Sequence, residues 1–262
     1  MGIESAHPTI RRHFVTVNGE RQVHYRRAGK GPAVVLLHQS PTSSREQVPL
    51  IERLMSEFTV IAPDTPGNGL SDPLPGEQPL GEDYAHALAQ TLDALGIERC
   101  GVFGTHTGGV TATEFARLYP DRVSVVIVDG ITCWTEAERA DALENYFTPF
   151  APQWDGSHLT WLWSRMREQT IFFPWYAKTL AARMDYDVPS PDRIHNGLLE
   201  FLRAGDEYRK PYKAAFIFKG EESIPALTCP AHLMAIAPDV LFSHFDRLPA
   251  LPDNIKVERF GA

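Results

Sequence analysis

The segment GVFGTHTGGV, residues 101–110, lies between an apolar run and a helical pattern. Upstream, CGVFG (100–104) is short, apolar and bounded by glycine, as a strand buried on both faces reads. Downstream, VTATEFARLYP (110–120) spaces its apolar residues three and four apart and stops at Pro120, as an amphipathic helix does. Gly104-Thr105-His106-Thr107-Gly108 is therefore a sharp strand-to-helix turn, with a glycine two before and two after its central residue so that strand and helix can approach. A histidine stands at its tip.

The same alternation extends in both directions. Apolar, β-branched runs recur at AVVLLH (33–38), TVIAP (59–63), VSVVIV (123–128), HLMAIA (232–237) and IKVERF (255–260). Between them lie amphipathic stretches such as REQVPLIERLMSEF (45–58) and EDYAHALAQTLDALG (82–96). Strand alternating with helix predicts a parallel, doubly wound α/β sheet. Ahead of it, HFVTVNGERQVHYRRAG alternates with period two around Asn18-Gly19 and predicts a leading antiparallel hairpin. The rhythm breaks once: after Asp129 the next convincing strand waits until His232, so about a hundred residues are inserted there. All five tryptophans (Trp134, Trp154, Trp161, Trp163, Trp175) fall in that insertion, with Phe147, Phe150, Phe172, Phe173 and Tyr176. We expect an aromatic, helical lid, some of whose rings line a pocket and the rest of which form its own small core.

Composition narrows the class. At 262 residues, 43% hydrophobic and 22% charged, the chain has the make-up of one large globular domain carrying an insertion. A net charge of −8 without a basic patch argues against a nucleic-acid partner. No apolar window of about 18 residues or more is present to span a bilayer, and MGIESAHPTIRRHF has no signal-peptide core, so the expectation is a cytoplasmic protein without a membrane partner. Cys100, Cys133 and Cys229 are odd in number and sit in or beside apolar runs, which reads as buried thiols rather than disulfides or a zinc site. DTPGNGLSD (64–72) has no following Lys-Ser or Lys-Thr, which sets aside a nucleotide loop and leaves a scaffold turn. We expect neither cofactor nor metal, a small-molecule substrate as the partner, and leave a homo-oligomer open.

The ordered set LLHQSPTSS (36–44), VIAPDTPGNGLSD (60–72), GTHTGG (104–109), ARLYPDRV (116–123), APDVLF (237–242) and IKVERF (255–260) resembles the α/β-hydrolase superfamily. Within it, the chain is similar to the branch with a helical cap between strands six and seven, which includes epoxide hydrolases, haloalkane dehalogenases and carbon–carbon bond hydrolases. The resemblance implies the α/β-hydrolase fold, a mostly parallel twisted sheet built from 1–131 and 220–262, with a helical cap over 132–219. It also implies an oxyanion site formed by the backbone N–H of Ser40, in the loop His38-Gln39-Ser40-Pro41 where glycine is commoner than Gln39, and the N–H of Thr107. For the acid it implies Asp239, after strand seven, as first choice, with Asp129, after strand six, as second. Either acid also reads plainly as a turn or cap residue.

Two departures from that pattern matter. His106 stands where the family displays its serine, at a turn that needs positive φ, which histidine tolerates better than most residues. An acyl-serine intermediate is thereby excluded at this position. At a helix N-terminus we expect the imidazole to be held neutral. It has three uses there: direct attack, general base toward water or a substrate proton, or orienting donor, of which we favour the last two. The hydroxyls of Thr105 and Thr107 are expected to point away from the reacting position. The second departure is at the end, since the family's catalytic histidine follows the last strand and the sequence stops at Gly261-Ala262, where that turn would begin. We expect the natural reading frame to run on; otherwise His158 and His244 are the nearest substitutes, and neither has a context that marks it. The leading expectation is an enzyme cleaving a small, largely apolar substrate by hydrolysis or proton transfer. The alternatives are a binding protein that has lost turnover, and a lyase using His106 as acid and base.

Overall fold

The computed structural model describes residues 9–261; the readings made on residues 1–8 and on Ala262 lie outside them. Eight strands form one sheet: β1 (Arg11–Val17), β2 (Arg21–Ala28), β3 (Ala33–Leu37), β4 (Thr59–Pro63), β5 (Cys100–Thr105), β6 (Val123–Asp129), β7 (Ala231–Ile236) and β8 (Ile255–Phe260). Their order is β1-β2-β4-β3-β5-β6-β7-β8. β1, β2 and β4 pair antiparallel, and every pair from β4 to β8 is parallel. The leading hairpin turns where expected, Asn18 and Gly19 both taking positive φ (54° and 77°).

Three helices cover the sheet: α1 (Val48–Leu54), α2 (Gly81–Ala94) and α3 (Thr107–Leu118). On one face Val35, Leu37, Val102, Val126 and Leu233 of the strands pack against Ala85, Leu88 and Leu92 of α2 and Ala112, Phe115 and Ala116 of α3. On the other, Leu36, Val60 and Ala62 pack against Ile51 of α1. Each large aliphatic side chain buried this way contributes about 1.5–3 kcal/mol. α1 is shorter than its 45–58 pattern because Ser43 to Gln47 fold into turns held by Asp64, whose Oδ1 accepts from the Ser44 N–H at 2.7 Å.

Between β6 and β7 the chain leaves the sheet and forms α4 (Glu136–Asn145), α5 (Ser157–Glu168), α6 (Pro191–Ala204) and α7 (Arg209–Ile217). Thr135 caps α4 reciprocally with Glu138, and Ser190 caps α6 ahead of Pro191. These helices have a core of their own, with Trp134, Tyr146, Phe147, Phe150, Leu162, Trp175, Phe201, Tyr208, Tyr212 and Phe216 buried together. The expected lining role of the aromatics divides accordingly: Trp134 and Trp175 are core, and Trp154 is fully exposed. Among the described residues, no helix is long and apolar enough to cross a membrane. The three cysteines are buried and free.

Candidate active site

The carboxyl ends of parallel strands gather loops from separate parts of the chain, and open α/β sheets bind ligands there. β5 ends at Thr105 opposite Asp129 of β6, and Asp129 in turn lies opposite Met234 of β7. His106 follows β5 with φ 49° and ψ −110°, the strained turn foreseen for it. Its N–H donates to the Asp129 carbonyl at 3.0 Å, which stitches the turn to β6. Glycines are required on both sides: a Cβ on Gly104 would lie 2.3 Å from the Gly108 carbonyl oxygen, and one on Gly108 would lie 2.4 Å from that of Leu37.

The imidazole reaches across to the loop after β7. His106 Nε2 and Asp239 Oδ2 are 2.8 Å apart. The other oxygen, Oδ1, accepts the Leu241 N–H at 2.7 Å, so the carboxylate is fixed at both ends. Gly130, with φ +75°, lies against the Cδ2–Nε2 edge of the ring, where a Cβ would come within 2.5 Å. Donation from Nε2 leaves the lone pair on Nδ1, and Nδ1 has no hydrogen-bond partner among the described residues. The two side chains remain 24% and 30% exposed, enough for a ligand or water to reach them.

The titration of the site follows its carboxylates. Burial pulls the His106 pKa down, but the hydrogen bond and charge of Asp239, with Asp129 and Glu46 behind, leave it above its ordinary 6.5. The helix end was expected to disfavour the protonated ring; the three carboxylates act in the opposite sense. Burial raises Asp239, yet its bond and charge pairing with His106 bring it below 3.8. Asp129 makes no side-chain hydrogen bond to the histidine, and burial raises its pKa above 3.8. Asp239, the first choice, is the acid bonded to the His106 ring; the Asp129 carboxylate acts on the ring only through charge.

The oxyanion donors are arranged unlike the expected pair of free amides. The Ser40 N–H donates to Thr107 Oγ1 at 2.7 Å. Thr107 therefore turns its hydroxyl toward Ser40 and the cavity rather than away, and its own proton goes to Ser40 Oγ at 3.1 Å. Ser40 Oγ also accepts from Asn68 Nδ2 at 3.3 Å, which leaves the serine O–H proton unassigned to any described acceptor. The Thr107 N–H is the first of α3, where amides have no acceptor within the helix. Gln39, the residue in place of glycine, donates to Glu46 at 2.7 Å. His38 is structural: Nε2 accepts the Thr65 N–H at 2.9 Å, and Nδ1 lies 2.8 Å from the Gln39 carbonyl.

His106, Ser40, Thr107 and Asp239 line one cavity of about 410 Å³, roofed by Tyr146, Gln169, Phe173, Tyr186 and Tyr212. Apart from Phe173, these roof residues had no distinguishing signal in the sequence, because they come from segments whose directions periodicity does not fix. His244 and His158 stand elsewhere. Burial and the charge of Arg247 take His244 down to about 4, and its Nδ1 accepts the Cys133 N–H at 3.0 Å. His158 Nδ1 accepts from Gln153. Among the described residues, no group of three or more His, Cys, Asp or Glu is placed to hold a metal ion.

The signature of the alpha/beta hydrolase fold matches residues 32–164, about half of the chain and the part that contains the turn at His106. The chain belongs to the α/β-hydrolase family. It is 35% identical over 115 residues to a 2-hydroxy-6-oxo-6-phenylhexa-2,4-dienoate hydrolase of Comamonas testosteroni, covering 41% of this chain and 39% of that one. It is 33% identical over 136 residues to a 2-(acetamidomethylene)succinate hydrolase of Mesorhizobium japonicum, covering 50% and 48%. The chain thus spans less than half the length of these curated relatives. Epoxide hydrolase A from Mycobacterium thermoresistibile superposes with a TM-score of 0.70 at 22% identity, over 97% of this chain and 91% of the other, and shares the fold. Within this α/β-hydrolase, His106 stands at the tip of the strand-to-helix turn between β5 and α3 that the sequence motif indicated.

Proposed function

We propose that this α/β-hydrolase cleaves a small, largely apolar substrate by hydrolysis, with His106 as general base and Asp239 as the carboxylate that holds the ring. The observation that carries the reading is the pairing of the imidazole: Nε2 is tied to Asp239 at 2.8 Å, Nδ1 has no partner among the described residues, and the residue lines the cavity. A water on Nδ1 loses its proton to the ring as its oxygen attacks, and Asp239 stabilises the imidazolium that forms. No bond from enzyme to substrate is needed. The Thr107 N–H and the Ser40 hydroxyl, whose proton is unassigned, would receive the developing negative charge. Residues 132–219 serve as the cap that excludes bulk water. The curated relatives named above are hydrolases, which supports the reaction class.

The test is turnover on a panel of esters, thioesters, epoxides and 1,3-diketones by the unmodified chain, His106→Ala and His106→Ser. Activity confined to the unmodified chain is expected, since a serine at 106 has no described histidine beside it to activate it. Equal activity in His106→Ala would refute the base role.

The occupied Ser40 N–H favours a second reading, a ligand-binding protein without turnover, because half of the expected oxyanion site is already satisfied. In that case the panel shows saturable binding and no His106-dependent product.

A further inference from the structure

The fully buried side chain with the least obvious role is an arginine. Arg165 of α5 is 1% exposed and stands within a cage of rings, its Cζ 4.9 Å from the centroid of Trp175, 5.0 Å from Phe201, 5.6 Å from Tyr146 and 5.8 Å from Tyr208. Among the described residues no carboxylate pairs with it: its Nε and Nη2 have no partner there, and its one hydrogen bond runs from Nη1 to Gln169 Oε1 at 2.6 Å. Burying a cation without a counter-charge is expensive, even with the ring faces offsetting part of it. Such a cost is intelligible where the cation orders something else.

What it orders is an amide. A guanidinium has only donors, so it donates to the oxygen of Gln169 and forbids the flipped amide, which would set N–H against N–H. Nε2 is thereby turned to the cavity side, where one proton goes to the Tyr212 hydroxyl at 3.2 Å. The second proton has no acceptor among the described residues. Gln169 borders both the cavity of His106 and an adjoining one of about 510 Å³ that continues past Ser40 toward Ile194 and Gly197. The free N–H therefore meets whatever bridges the two.

We propose that Gln169 is a specificity-determining residue that binds an uncharged carbonyl oxygen on the part of the substrate remote from the cleaved bond, and that Arg165 is a positioning residue that fixes its amide. This rests on the cavity being the substrate site. A carbonyl suits the subsite better than a carboxylate, because the carboxylates Asp187 and Asp239 outnumber the single guanidinium, Arg193, among the Asp, Glu, Lys and Arg residues that border the same cavity.

Acetophenone and ethylbenzene share a ring and a two-carbon chain and differ in the oxygen; benzoate adds the charge. Ligand-observed NMR titration of the three compares the unmodified chain with Gln169→Met, Arg165→Met and Arg165→Lys. Acetophenone has no bond to hydrolyse, so the outcome does not depend on His106 being a base. A preference for acetophenone over ethylbenzene, lost about fivefold in Gln169→Met, is expected from one hydrogen bond. Arg165→Met should lose the same preference with Gln169 intact, and Arg165→Lys should recover part of it. The subsite is overturned if Gln169→Met binds both neutral probes as before, or if only benzoate weakens. The positioning role is overturned if Arg165→Met keeps the preference, and Gln169→Met decides the subsite even where Arg165→Met does not fold.

Discussion

At the elbow, a histidine in place of serine changes reach as well as chemistry. A serine oxygen lies one bond beyond Cβ and needs a separate base, whereas the His106 ring spans the distance to Asp239 itself. In the proposed mechanism the base and the carboxylate that orients it are these two side chains, and water takes the place of the serine oxygen. The pKa directions give a test independent of substrate. Because Asp239 holds His106 above 6.5, the imidazole proton of the unmodified chain should titrate above that value by NMR, and Asp239→Asn should bring the midpoint down. Base catalysis needs the unprotonated ring, so activity should rise with pH through the same midpoint. Asp239→Asn should shift that limb to lower pH and reduce the maximal rate about 100-fold or more. A limb that stays in place would mean that the base is another group.

At the scale of elements, the site depends on how closely α3 approaches β3 and β5. Gly108 passes so near the Leu37 carbonyl that a methyl group would lie 2.4 Å from it, and backbone cannot move aside as a side chain would. Gly108→Ala should therefore cost about 3 kcal/mol in equilibrium denaturation, with loss of the His106–Asp239 bond. These glycines were legible in the motif, because spacing of two before and two after the tip is a local property. So were the strands: β4 and β8 begin and end where the apolar runs do, and β3, β5, β6 and β7 differ by a residue or so. The direction of the Thr107 hydroxyl was not legible. It follows from the Ser40 N–H, 67 residues away in sequence, which needs an acceptor at that point. The partners of the turn at 64–72 were not legible either, since Asp64 accepts from Ser44, Leu70 and His24 at once.

For the whole molecule, the buried titratable groups set the response to acid. His244 has its folded pKa depressed to about 4, so the unfolded chain takes up its proton first. Its contribution is complete above 6.5 and is lost as pH falls from there to about 4. Burial raises Asp64, but its bond to His24 and the nearby histidine charges bring it to about 2; its contribution is present above 3.8 and is lost toward 2. His106 works in the opposite sense, contributing fully below 6.5 and losing that contribution as pH rises through its raised folded value. Denaturant melts across pH 2–8 should show stability falling in two stages on acidification. His244→Asn, which keeps an acceptor for the Cys133 N–H, should remove the upper stage. A single stage in the unmodified chain would contradict the assignment.

Periodicity, turn residues and the motif GTHTG settled the α/β alternation, the place of the insertion and the elbow with His106 at its tip. They did so because each depends on residues a few positions apart, whose backbone angles and apolar spacing are written locally. The raised pKa of His106, the occupied Ser40 N–H and the choice of roof residues belong to the folded chain alone. Each is fixed by groups tens of residues distant or more, whose approach depends on how the loops after β3, β5 and β7 and the inserted helices converge. Arg165 shows the difference most plainly: nothing in the local sequence marks it, yet with Trp175, Phe201 and Tyr208 closed around it, it is a buried cation hydrogen-bonded to one amide.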